Sequence, residues 1–357
     1  MKKILLVTDV NFWKKGAGHR VRISALIAYL AKVSELTVAY LGLVPQIETD
    51  MINNIPAQIV ILDNENILSP SGYGEKLEEL LNNYSPDAVI IEYIHLSYML
   101  NFVDEQVKMI LDMHDIISDR THEFRQFNYS GALPEMSAEN EFAIMEIYDN
   151  IMVLCGPDRD KLEAVAPGKV LLCPHPVLVH EKLTRPVARK ITYMASEYLP
   201  NIDAIAHFIE NAWPAISAEH HVELHIFGNI CNTFTPENLP PGVILRGYKQ
   251  DINEIYNEAD IMVNPVRFGA GMKIKTLEAL ASGVPLVTTT HGARGLTELA
   301  GKAFLIADGP GEFAAQIGKL IRNLSLREDL SRYARTYMSQ HFETAQCFQP
   351  LLDVVNS

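Results

Sequence analysis

Two lysines and a glutamate at helical spacing, Lys273, Lys275 and Glu278, follow a glycine turn, Gly269-Ala270-Gly271. The turn itself follows a short apolar run that ends at Asn264. Glycine lets a backbone pass close to a ligand. A helix that starts just after such a turn offers unpaired N–H groups and the positive end of its dipole, and both favour a phosphate. Lysines in the first turn oppose that dipole and cost helix stability, so a pair of them points to an anionic ligand. Glu278, three residues after Lys275, shares its helix face. A carboxylate there accepts hydrogen bonds from two vicinal hydroxyls such as those of a ribose. The plain alternative is a Lys–Glu pair on a solvated helix.

A second group of candidates lies in the first half. Asn11-Phe12-Trp13-Lys14-Lys15-Gly16-Ala17-Gly18-His19-Arg20 follows the first apolar run and combines glycines, a helix start and cations. No third glycine follows at the required spacing, so this is not the dinucleotide fingerprint. Asp112-Met113-His114-Asp115 closes another run, with Arg120 shortly after. An imidazole of near-neutral pKa there suits a general base, and Asp115 is the expected group to orient it. His95 follows a run ending Ile91-Glu92-Tyr93. Residues 121–139, with Phe124, Phe127 and Tyr129, read as loop-rich, either facing an acceptor or packed away. His220, His221 and His225 read as structural residues near an edge strand. No Asp-x-Asp follows a strand in a way that would hold a divalent cation, so no metal is expected.

The elements that must position these residues repeat. Short continuous apolar runs at 4–8, 36–41, 59–62, 88–91, 109–113, 151–154 and 170–173 alternate with helix-like stretches at 20–31, 74–82 and 138–148. Continuous rather than alternating runs mark strands buried on both faces of a parallel sheet. The pattern pauses near 175–189, where prolines suggest an interdomain linker. It restarts with strands at 191–195, 222–227, 243–245, 261–263 and 286–288 and helices at 201–216, 273–281, 312–324 and 326–340. Two α/β domains follow, each a Rossmann-like doubly wound sheet. The length of 357 residues agrees with two domains. Ligands of such sheets sit at the carboxyl ends of strands, and the natural site is a cleft between the two.

Composition narrows the partners. Hydrophobic residues make up 48% and charged residues 21%, which excludes a disordered chain. Thirty Lys and Arg against 44 Asp and Glu leave a net charge of −14, the opposite of what a phosphate backbone demands. Residues 1–178 carry −11 of that charge, and no basic patch for anionic lipid is visible. Cysteines 155, 173, 231 and 347 form no CxxC pair and read as buried thiols of a reducing compartment. The opening Met1-Lys2-Lys3 run stops at Asp9 without a cleavage site. No segment reaches the roughly 18 apolar residues of a membrane span. A cytoplasmic protein, at most peripheral to a membrane, is expected.

The stretch from Pro265 through Val287, then Thr289, Gly292 and Gly295, resembles the donor-binding domain of GT-B glycosyltransferases, in particular the large retaining family known as glycosyl transferases group 1. Its members commonly read Pro-x-Arg-x-Gly-x-Gly-x-Lys-x-Lys-x-x-Glu-Ala-x-Ala-x-Gly-x-Pro-x-Val. Tyr193 to Ala204, Ile226-Phe227-Gly228 and Gly247-Tyr248 are similar to its opening strand and helix and its nucleotide-pocket loops. The resemblance implies a GT-B fold of two Rossmann-like domains: 1–178, with 341–357 crossing back onto it as an acceptor domain, and 190–340 as donor domain. It implies transfer of a sugar from a nucleotide-diphosphate sugar to a glycan or lipid-linked glycan in polysaccharide synthesis, with no cofactor. Gly16, Ala17, Gly18, Gly228, Tyr248, Gly271, Met272 and Glu278 are the implied donor-binding residues. Lys273, Lys275 and His114 are the implied catalytic ones, His114 by positioning the donor sugar or the acceptor with proton chemistry the weaker option, and Arg20, His95, Asp115 and Arg120 face the acceptor. Many relatives carry a second glutamate eight residues before the ribose-binding one; here that position is Ala270, which leaves the sugar open. The rival readings are a catalytically inactive binding partner of the same fold and a sugar-nucleotide epimerase.

Overall fold

The computed structural model describes residues 1–14, 16–62, 70–181 and 184–357. Lys15 of the first glycine loop and residues 182–183 of the expected linker lie outside them. The chain divides into two compact units, Met1–His175 with Thr344–Ser357, and Pro176–Glu343.

In the first unit seven strands form one parallel sheet: β1 (Lys3–Thr8), β2 (Glu35–Leu41), β3 (Gln58–Leu62), β4 (Ala88–Glu92), β5 (Lys108–Asp112), β6 (Asn150–Val153) and β7 (Val170–Leu172), in the order β3-β2-β1-β4-β5-β6-β7. The helices are α1 (Gly18–Val33), α2 (Thr49–Asn53), α3 (Pro70–Tyr84), α4 (Ile117–Gln126), α5 (Ala138–Met145) and α6 (Gly156–Glu163). The strand run Ile4-Leu5-Leu6-Val7 is wholly buried because alternate side chains enter two different cores. Leu5 and Val7 pack with Leu77 of α3, whereas Ile4 and Leu6 pack with Ile23, Leu26 and Leu30 of α1. Each such side chain contributes roughly 1.5–3 kcal/mol on burial, and helices on both faces are why the runs do not alternate.

In the second unit six strands, β8 (Lys190–Met194), β9 (Glu223–Phe227), β10 (Val243–Gly247), β11 (Ile261–Asn264), β12 (Leu286–Thr288) and β13 (Leu305–Ile306), form a parallel sheet in the order β10-β9-β8-β11-β12-β13. Its helices are α7 (Leu199–Asn211), α8 (Trp213–Glu219), α9 (Ile252–Glu258), α10 (Ile274–Ala281), α11 (Pro310–Arg322) and α12 (Leu324–His341). The last helix, α13 (Thr344–Asn356), belongs to the first unit, where Phe348, Leu351 and Val355 join Ile4 and Leu6 in one core. Residues after Pro176 are tied to the second unit: Arg185 pairs with Asp260 at 2.8 Å, and Asp260 also accepts from the backbone N–H of Arg189 and Lys190.

Two expectations change. The single helix expected over 201–216 is two, α7 and α8, divided at Ala212; Pro214 in the first turn of α8 cannot donate back into a preceding turn. The loop-rich reading of 121–139 gives way to α4 over its first third. Glu141 holds that helix start by accepting from Ile117 and Ser118 N–H at 2.6 and 2.8 Å, and Phe124 is buried. His225 stands on β9, beside the edge strand β10 as expected, and pairs with Glu223. All four cysteines are buried and none forms a disulfide. Among the described residues no helix is long and apolar enough to cross a membrane.

Candidate functional site

In each sheet the strand order reverses at one place, between β1 and β4 and between β8 and β11. Such switch points open crevices at the carboxyl ends of the strands, and the candidate residues cluster on the loops that leave them.

At the second switch point, β11 runs into the glycine loop and α10. Gly269 (φ +105°) and Gly271 (φ +73°) take backbone conformations that favour glycine. Lys273 is the N-cap of α10, and no acidic residue stands in its first turn. The Lys273 ammonium donates to the carbonyls of Gly269, Ala270 (3.1 Å) and Gly271 (2.9 Å), so the loop wraps its own cation. This differs from a lysine simply extended toward a ligand. Lys275 is placed otherwise. Its Nζ donates to Asn201 Oδ1 at 2.6 Å and lies 5.0 Å over the ring of Tyr193. That bond leaves two of its three N–H donors for a ligand. Burial, with the charge of Lys273 beside it, lowers the Lys275 pKa to about 7. Glu278 accepts from the Tyr256 hydroxyl at 2.9 Å, and burial raises its pKa to about 7 despite that bond and Lys275.

The neighbouring loops are fixed by close contacts. Asn201 Nδ2 donates to the Ser196 carbonyl at 3.1 Å, so one side chain ties the loop after β8 to Lys275. Arg267 makes a two-pronged pair with Asp203 of α7 at 2.6 and 2.9 Å. Gly228 has φ +99°, and a Cβ there would stand 2.1 Å from the Ala195 carbonyl oxygen. Gly228→Ala is therefore expected to cost the second unit about 1–3 kcal/mol through strain and overpacking. Urea unfolding followed by circular dichroism measures it, and an unchanged midpoint would show that the loop yields freely. Met272 is buried, whereas Tyr248, beyond the edge strand β10, is 49% exposed and three strand places from β11.

At the first switch point, Gly16 (φ +97°) precedes Ala17, the N-cap of α1, and Gly18 opens that helix. Arg20 Nε is buried with no hydrogen-bond partner among the described residues. His95 pairs with Asp9 at 2.8 Å on a half-exposed surface. His114 is held differently from the expectation. Asp115 is engaged by Arg120 at 2.8 Å and does not orient the imidazole. Glu92 does: its Oε2 lies 2.8 Å from His114 Nε2, and Tyr93 stacks on the ring with centroids 4.2 Å apart. Burial lowers the pKa of His114 to about 4, so the ring is neutral at pH 7 and lacks the near-neutral pKa that suits a general base.

Glu92, Asp112 and His114 bring donor atoms within 4.8 Å of one another, the one such group among the described residues. Asp112, however, spends both oxygens on the buried guanidinium of Arg22, at 2.8 to 3.2 Å. A fixed cation at that distance opposes a metal ion there. A hollow of the second unit lies elsewhere, at the amino ends of β8, β9 and β10, lined by Trp213, His220, His221 and Pro241. Sheets of this kind do not bind ligands at that end.

Residues 188–323 match the model of the family described as glycosyl transferases group 1. The match falls wholly within the second unit. Over the whole chain, an uncharacterized 44.6 kDa protein in the cps region of Klebsiella pneumoniae is 20% identical, covering 94% of this chain and 90% of that one. Among solved structures, TarM of S. aureus superposes with a TM-score of 0.78 at 12% identity, over 100% of this chain and 99% of its own. HepE of Anabaena, in complex with UDP and glucose, gives 0.76 at 12% identity over the full length of both. These structures share the GT-B fold, and that fold is this chain's.

The segment that matches the family model contains Lys273, Lys275 and Glu278 at its switch point, together with two residues the motif does not point to, Asn201 and Tyr256. Both lie far from α10 in sequence, so only the fold brings them to it. In the first unit Glu92, Asp112 and Arg22 stand in the segments singled out from the sequence but were given no role of their own, although a signal was present: a carboxylate ending a fully apolar buried strand, as in Ala88–Glu92 and Lys108–Asp112, is costly unless partnered.

Proposed function

We propose that the chain transfers a sugar from a nucleoside-diphosphate sugar to a hydroxyl of a glycan or lipid-linked glycan, with retention and without a metal, in polysaccharide assembly. The observation that carries this reading is the placement of Lys275 in the first turn of α10 and Glu278 one turn on, held by Asn201 and Tyr256, in the segment that matches the group 1 family. Glu278 takes the ribose hydroxyls. Lys275 and the N–H groups of Gly271, Met272 and the first turn of α10 take the diphosphate. Lys273 holds the loop in shape and adds its charge. Gly16, Ala17 and Gly18 approach the donor phosphates, His114 meets the sugar, and Arg20, His95, Asp115 and Arg120 serve the acceptor. Negative charge grows on the diphosphate as the glycosidic bond breaks, so a cation there stabilises the transition state more than the ground state. The relative in a cps region and the neighbour that holds UDP and glucose support the reading.

Calorimetric titration of the full chain with UDP, GDP and dTDP tests it. One of the three is expected to bind, and Glu278→Ala is expected to weaken that binding by about tenfold to a hundredfold, the worth of hydrogen bonds to a charged group. Binding of none of them removes the proposal. Binding without turnover of any common nucleotide sugar replaces it with an inactive binding partner of the same fold.

A further inference from the structure

Glu92 ends β4 and Asp112 ends β5, and the two are paired in register across the parallel ladder. Their side chains therefore leave the same face of the sheet on strands about 4.8 Å apart. Both are fully buried. The cation buried with them, Arg22, gives Nε and Nη2 to Asp112 and Nη1 to the Cys173 carbonyl. Asp112 and Arg22 thus balance each other. Glu92 is left with one oxygen, Oε2, against His114 Nε2 and the other, Oε1, buried without a partner among the described residues. An ionised carboxylate in that position would have an unsolvated oxygen beside a second carboxylate, whereas a carboxylic acid bears no such penalty. Three charged groups face Glu92: Asp112 from β5, Arg22 from α1 and Asp9 from the loop after β1. Two of them are anions. Burial and Asp112 accordingly hold Glu92 well above the usual carboxylate range, and burial likewise keeps His114 neutral.

We propose that Glu92 is a neutral carboxylic acid whose O–H donates to His114 Nε2, and that this fixes the imidazole as its Nδ1–H tautomer. A neutral imidazole has one donor and one acceptor nitrogen. With Nε2 accepting from Glu92, Nδ1 faces its ligand as a donor. Tyr93 fixes the plane of the ring by stacking, and its own φ of +70° is an uncommon conformation for an aromatic residue that places it there. Glu92 is a positioning residue. The tautomer stands apart from the proposed sugar transfer; only its use, donation to a sugar oxygen, rests on that reading.

Long-range proton–nitrogen NMR spectra of the full chain carrying 15N-labelled histidine test the proposal without any substrate. The His114 signals are assigned by their loss in His114→Gln. At pH 7 they are expected to show a protonated Nδ1 and an unprotonated, hydrogen-bonded Nε2. Glu92→Gln is expected to keep that pattern, because its amide N–H donates where the acid did, and Glu92→Leu to abolish it. A protonated Nε2 in the native chain, whether as the other tautomer or as imidazolium, overturns the proposal even if transfer is confirmed. Should Glu92→Leu fail to fold, the native and Glu92→Gln spectra decide alone. In a transfer assay, Glu92→Gln is expected to exceed Glu92→Leu by about tenfold in kcat, the worth of one hydrogen bond. Equal losses would overturn the use of the tautomer while leaving the spectra to judge the tautomer itself.

Discussion

Lys275→Met should lower kcat/KM for the sugar donor by on the order of 10²-fold or more, as removal of one transition-state charge donor does elsewhere. Methionine keeps the methylenes that cover Tyr193 and deletes only the ammonium, so the loss reports charge rather than packing. The pH profile of the native enzyme carries the same argument. Burial and Lys273 bring the pKa of Lys275 down to about 7 in the free protein. Its cationic form therefore declines above pH 7, and kcat/KM, which reports the free enzyme, should fall as pH rises through that point. A bound diphosphate favours the charged form, so the corresponding limb in kcat should move to higher pH. The stability of the unliganded protein has the opposite sign. Its Lys275 binds fewer protons than the unfolded chain between about pH 7 and the ordinary lysine value of 10.5, so this group adds stability as pH rises across that window. Steady-state rates at saturating and limiting donor from pH 6 to 9, for the native chain and Lys275→Met, measure both. A loss under about threefold in Lys275→Met would remove this lysine from the mechanism.

The two lysines show how far the sequence could be read. Their spacing after a glycine turn placed both at the start of α10, and the continuous apolar runs disclosed the two parallel sheets to within a residue or two of every strand but β13. Strand runs are legible because burial on both faces leaves no polar position to blur them. The division of labour between the lysines was not legible. Lys273 bends back onto carbonyls of its own loop, and Lys275 reaches Asn201, 74 residues away in sequence; spacing along one helix does not encode such a partner. The orientation of His114 failed for the same reason. Asp115, one residue away, was the local guess, but the next strand's Glu92 lies across the sheet in register with Asp112, and local pairing lost to sheet topology. Short elements such as β13 and the break at Ala212 hold too few residues for a periodic signal.

Asp112→Ala should destabilise the first unit by about 3–5 kcal/mol, the usual consequence of leaving one member of a buried ion pair behind. Arg22 would then keep only the Cys173 carbonyl and its position 5.7 Å over the ring of Phe348 on α13, neither of which neutralises a guanidinium buried from water. For a unit of this size each kcal/mol moves the unfolding midpoint by about 2–4 °C, so scanning calorimetry should resolve a fall of roughly 10 °C. The double variant Arg22→Met with Asp112→Leu should recover much of it, because it removes both charges instead of one. A fall under about 2 °C in the single variant would show that Arg22 finds another counter-charge. The structure names the nearest candidate. Glu92 is the remaining carboxylate beside Arg22, and with Asp112 gone it would lose both the anion that keeps its proton on and the competitor for the guanidinium. An Asp112→Asn chain that retains most of its stability should therefore carry an ionised Glu92 and a His114 with Nε2 protonated, the reverse of the native pair. One substitution two residues from the histidine would then invert which ring nitrogen donates, and the sugar-transfer rate should fall although neither His114 nor Glu92 has been changed.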